Sequence, residues 1–61
     1  MSTQATKNFI GVYSEIIENY LNNPFEMYNR LIILDEIAEK SLSFSEYHDY
    51  YKTTLKMFNE V

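Results

Sequence analysis

The chain predicts an all-α fold, a small three-helix bundle, and three observations carry that expectation. Apolar residues recur at helical rather than alternating spacing throughout. Asn22, Asn23 and Pro24 end one such stretch and open the next, and Ser41, Leu42 and Ser43 do the same before a third. The helices fall at roughly residues 3–22, 24–41 and 44–60, inside one domain spanning 1–61. Short connections favour antiparallel neighbours, hence a bundle. A helical hairpin with a loosely docked third helix is the alternative.

An α-helix advances about 100° per residue, so each face can be laid out from position alone. In the first segment Ala5, Phe9, Ile10, Val12, Tyr13, Ile16, Ile17, Tyr20 and Leu21 share one half of the cylinder. Lys7, Ser14, Glu15, Glu18, Asn19 and Asn22 take the other half. Gly11 falls on the polar side, where it costs about 1 kcal/mol relative to Ala and leaves no gap in the core.

The second helix opens with Asn23 as N-cap and Pro24 at the first helical position, where a missing N–H costs nothing. Glu26 places a negative charge near the positive end of the helix dipole, and Lys40 places a cation near the negative end. Glu36 and Lys40 have the spacing of an i,i+4 pair. Met27, Leu31, Leu34 and Ala38 form one stripe, with Phe25, Tyr28 and Ile32 beside it as further contacts to the neighbouring helices.

The third helix opens with Ser43 and Glu46 in capping-box spacing, and Leu42 and Tyr47 are placed as a hydrophobic staple. Its core side gathers Phe44, Tyr47, Tyr51, Leu55 and Phe58, flanked by Tyr50, Met57 and Val61. Ser45, Asp49, Lys52, Lys56 and Glu60 lie opposite.

Composition narrows the classes of function. With 46% apolar and 16% aromatic residues the chain has the means to collapse. At 61 residues it buries only about 60% of the surface its unfolded chain exposes, so a staple is expected. Cysteine is absent, which removes disulfides and leaves another chain as the leading staple; a cytoplasmic protein is expected. A net charge of −4 with five scattered bases argues against nucleic acid and anionic lipid as partners. The longest apolar run, Leu31 to Leu34, is far short of a membrane span, and the N-terminus shows no apolar signal region. Frequent Ile, Asn, Tyr and Glu beside scarce Gly, Pro and Arg match A/T-rich codons, as in a low-GC bacterium, a phage or a plasmid.

The surplus apolar residues of the middle helix supply the candidate site. Ile33 and Ile37, one turn apart, sit between Glu26, Asn29, Arg30, Glu36 and Lys40 on what should be the wet face. Isolated surface apolar residues are ordinary; a β-branched pair on a charged face also makes a contact strip. Tyr50, off the core axis of the third helix beside Met57, is a second candidate, since tyrosine is favoured at interfaces. The expected partner-binding residues are Ile33, Ile37, Tyr50, Arg30, Glu26 and Met57.

Other chemistry finds little support. His48 is the single histidine, its neighbours Glu46 and Asp49 are turned away from it by the helix, and position 52 is a lysine rather than a second ligand. Asp35, Glu36 and Glu39 read as a solvated acidic face. No catalytic residues, cofactor or metal are expected, and the chain is not expected to be an enzyme. The reading that results is a small acidic protein that binds another protein through a helical face, as an inhibitor, modulator or adaptor, encoded by a phage or mobile element. It is expected to form a homodimer or hetero-complex. The alternative is a nucleic-acid-related module, either a DNA mimic or a dimeric helix-turn-helix-like DNA binder.

Overall fold

A computed structural model describes residues 3–60, which form three helices and, among the described residues, no strand. They are α1 (Gln4–Asn19), α2 (Pro24–Ser41) and α3 (Phe44–Asn59). The three-helix bundle is therefore the fold. Two short turns make α2 antiparallel to both neighbours, so α1 and α3 run parallel.

Local chemistry sets the boundaries. Thr3 caps α1 through its hydroxyl, which accepts the N–H of Thr6 at 3.2 Å. The helix stops at Asn19, three residues short of the expected end, because Tyr20 to Asn22 are consumed by a turn closed by Asn23 N–H on the Tyr20 carbonyl at 3.0 Å. A residue before proline is disfavoured in the α region, so Asn23 leaves the helix and caps α2, its side chain accepting the N–H of Glu26 at 3.2 Å. The capping box of α3 is complete: Glu46 N–H donates to Ser43 Oγ at 3.3 Å, and Ser43 N–H donates to Glu46 Oε1 at 3.0 Å. Leu42 beside it is buried, and Tyr47 packs against the core.

The core is built from Tyr13 and Ile17 of α1, Met27, Leu31, Leu34 and Ala38 of α2, Leu42, and Tyr50 of α3. The four-residue stripe of α2 is the one the helical period indicates. Of the flanking Phe25, Tyr28 and Ile32, expected to contact the neighbouring helices, Tyr28 meets Phe58 of α3, but all three stay at least half exposed, Phe25 at 77%.

On α1 most of the expected face holds, with Tyr13 and Ile17 buried and Phe9, Ile10, Ile16 and Tyr20 packed beside them, whereas the face of α3 is rotated from expectation. On α1 the buried line is Thr6, Tyr13 and Ile17; Ala5 and Val12 lie about a quarter-turn away and are exposed, as is Leu21 beyond the helix end. On α3 the buried residues are Tyr50 and Thr54, with Tyr47, Met57 and Phe58 half-buried. Phe44, Tyr51 and Leu55 are exposed rather than in the core, Phe44 at 91%. Val61 lies outside the described residues.

The reason is the α1–α3 interface, the most extensive of the three. Thr6 and Thr54 are buried on α1 and α3 without orphaned hydroxyls. Thr54 Oγ1 donates to the Tyr50 carbonyl at 2.8 Å, and Thr6 Oγ1 pairs with Thr3 Oγ1 at 3.0 Å. At the base of the bundle Thr3 Oγ1 also donates to Glu46 Oε2, tying the two parallel N-termini together. The Glu46 carboxyl is held below its ordinary value by this bond first and by the Ser43 N–H second. With α1 and α3 closed on each other, α2 lies along their crease, its contact with α3 the sparsest of the three.

Candidate partner-binding faces

Because α2 buries only a narrow stripe, a groove opens on each side of it. The first lies between α1 and α2 and collects Ile16, Arg30, Ile33, Leu34 and Ile37 around a shallow space of about 210 Å³. Ile33 is 56% and Ile37 50% exposed. Val12 and Phe9 of α1 extend the same apolar surface over Leu34. The expected contact strip is thus exposed, and it is concave because α1 supplies a wall.

Arg30 is held rather than free. Its Nε donates to Glu26 Oε1 at 3.0 Å, and its guanidinium lies 4.6 Å from the centroid of the Tyr20 ring. Among the described residues this is the ion pair within 4 Å; the Glu36–Lys40 pair suggested by spacing does not form. Glu26 therefore acts by aiming Arg30 at the rim of the groove.

Tyr50 and Met57 do not join these residues. Tyr50 has 0% exposure and presents no surface to a partner. Phe9 and Tyr13 of α1 meet its ring edge-on, each with centroids 6.2 Å away, and Tyr47 lies at 5.7 Å. Its hydroxyl donates to Asp35 Oδ1 at 2.7 Å. Burial first, and then the Asp35 carboxylate, push the Tyr50 hydroxyl far above the ordinary tyrosine range. Burial and the same carboxylate raise Tyr13 and Tyr47 as well. Met57 is half-buried and packs on the core. A helical projection centred on Phe44, Tyr51 and Leu55 sets both at the bundle edge, whereas the face that packs is centred on Tyr50 and Thr54.

The second groove, between α2 and α3, was not anticipated. Tyr28 and Ile32 form one wall and Tyr51, Leu55 and Phe58 the other, around about 190 Å³. Tyr28 and Phe58 close one end with ring centroids 5.7 Å apart. Asp35, Tyr13 and Thr54 supply the polar atoms of the floor. The available signal was numerical: α2 and α3 together carry more large apolar side chains than one core stripe each can use.

Among the described residues no three His, Asp or Glu side chains converge to hold a metal ion, and no helix is long and apolar enough to cross a membrane. His48 lies exposed near the start of α3 beside Phe44, Ser45 and Asp49. Comparison of the chain with models of protein families, with curated proteins and with solved structures finds no match.

Proposed function

We propose that this chain is a small, acidic, non-enzymatic protein that acts by binding another protein through a helical face, as an inhibitor, modulator or adaptor. The observation that carries the reading is the pair Ile33 and Ile37, half-exposed one turn apart in the concave α1–α2 surface. A groove of this shape suits an amphipathic helix whose apolar anchors recur at i and i+4. Arg30, aimed by Glu26, offers a fixed guanidinium at the rim for a carboxylate of the partner. The effect would be steric, through occupation of the partner's own contact surface.

The test is capture with the immobilised chain, followed by titration of the purified captured protein. Ile33→Asp should weaken that binding tenfold or more while helicity and melting temperature stay close to the parent's. Unchanged affinity in Ile33→Asp and Ile37→Asp would overturn the assignment.

A further inference from the structure

We infer that the α2–α3 groove is a binding site for a small arylalkyl ammonium, with its cation on the Asp35 carboxylate and its ring between the apolar walls. This goes beyond the protein-binding role assigned to the α1–α2 face and does not depend on it.

The floor sets the charge of the ligand. Asp35 is half-buried and lines the groove from the centre of α2. Its Oδ1 accepts the Tyr50 hydroxyl at 2.7 Å, and its Oδ2 accepts nothing from the described residues. No Lys, Arg or His nitrogen among them comes within 4 Å of this carboxylate. After burial, the Asp35 charge is what raises the Tyr13 hydroxyl, which places the two groups near each other on the floor. That hydroxyl also finds no hydrogen-bond partner among the described residues, yet neither it nor Oδ2 is sealed in the core, so both reach water through the groove they line. A carboxylate without a counter-ion in a largely apolar setting favours a cation that donates hydrogen bonds. A second acceptor beside it suits the several N–H bonds of an ammonium. The walls bring the π-systems of Tyr28, Tyr51 and Phe58, whose faces attract cations and repel anions.

The walls set the body of the ligand. A cavity of about 150 Å³ holds one benzene ring, and the groove's 190 Å³ adds room for a short arm. Tyr28 and Phe58 close one end with ring centroids 5.7 Å apart, so the groove takes a compact ligand rather than an extended chain passing through. Seven positions, or about 10 Å of helix, separate Tyr28 from Asp35, which leaves space for a single ring between that end and the carboxylate.

Titration of the full chain with phenethylamine at neutral pH, followed in proton–nitrogen NMR spectra, reads the outcome. Saturation with a dissociation constant on the order of 1 mM is expected for a ligand of this size in an open groove. The shifts should centre on Ile32, Asp35, Thr54 and Leu55. Phenethyl alcohol, of the same shape without the charge, should bind about tenfold more weakly, and the anion hydrocinnamate more weakly still. Asp35→Asn keeps an acceptor for the Tyr50 hydroxyl and should abolish the preference for amine over alcohol. Leu55→Trp, at an exposed wall position, should fill the groove and displace both, whereas Ile33→Asp, in the other groove, should leave both unchanged. Should Asp35→Asn fail to fold, the amine, alcohol and anion series on the parent decides, together with Leu55→Trp. Equal affinity for amine and alcohol in the parent overturns the inference. So does a preference that survives in Asp35→Asn, saturation that survives in Leu55→Trp, or no saturation up to about 20 mM. Groove resonances that move with protein concentration and not with amine would mean that a second copy covers the groove, and they overturn it too. Loss of partner capture in Ile33→Asp with amine binding intact concerns the α1–α2 face alone, so the two readings fail separately.

Discussion

The Tyr50 hydroxyl donates to the Asp35 carboxylate at 2.7 Å, and through that bond the centre of α3 is pinned to the centre of α2. The ring of the same tyrosine is enclosed by Phe9 and Tyr13 of α1. Tyr50→Phe keeps the packing and removes the donor, and a hydrogen bond to a charged group contributes about 1.5–3 kcal/mol. Urea denaturation should show a loss of that order. Tyr50→Ala adds a cavity worth about 3–5 kcal/mol more, enough to unfold a domain this small. A Tyr50→Ala chain that remains helical and cooperative would contradict the central position of this side chain.

Alkaline pH should unfold the protein. Tyr50, Tyr13 and Tyr47 all have hydroxyls raised above the ordinary value of 10.0 in the fold. Above pH 10 the unfolded chain releases these protons more readily than the folded one, so the folded state binds more protons and stability falls as pH rises. The contribution is complete below pH 10 and is lost above it. Tyrosinate absorbance and helical circular dichroism should therefore change together, and tyrosines that all ionise while helicity persists would refute the coupling.

Gly11→Ala should stabilise. A Cβ at this position meets nothing within 4 Å, and the residue lies inside α1. Helix propensity and the reduced freedom of the unfolded chain together give about 0.5–1 kcal/mol, or a few degrees in melting temperature for a domain of this size. A lower melting temperature would mean that the glycine serves a contact outside the monomer.

Thr3→Ala should both weaken α1 and blunt the response to acid. Loss of the cap costs about 1 kcal/mol at neutral pH. The Thr3 hydroxyl is also the largest cause of the lowered Glu46 carboxyl, whose ordinary value is 4.5. A carboxyl lowered in the fold stabilises above that value and ceases to do so as pH falls through its folded value. The stability difference between pH 7 and about pH 3 should therefore be smaller in Thr3→Ala than in the parent. Equal differences would mean that the bond between the two N-termini does not form in solution.

Short-range chemistry was legible in the chain. Asn23, Pro24, Ser43 and Glu46 act through contacts within a few residues, so their spacing states their role. The stripe from Met27 to Ala38 was legible because those four residues repeat at 4, 3 and 4. The orientation of α3 was not. A helical projection weighs Phe44, Tyr51 and Leu55 as heavily as Tyr50, and treats Thr54 as polar and therefore wet. The face is decided instead by a threonine whose hydroxyl is satisfied by its own helix, and by the partner of Tyr50, Asp35, which lies 15 residues away. Periodicity carries no record of such a pairing. The candidate site followed the same division: Ile33, Ile37, Arg30 and Glu26 lie together because one helix presents them, while Tyr50 and Met57 were lost with the rotation of α3.

The parallel α1–α3 interface also has a kinetic consequence. The most extensive packing of the domain joins its first helix to its last, with Thr3 and Glu46 meeting across 43 positions of chain. Contacts of that sequence separation form only after the entropy of closing a long loop has been overcome, so the contact order is high for a bundle and folding should be slower than for hairpin-dominated helical proteins. An isolated α1–α2 hairpin lacks Tyr50, around which the aromatic rings assemble. A chain emerging from the ribosome thus carries two helices whose shared core lacks its central aromatic ring until the third has been made.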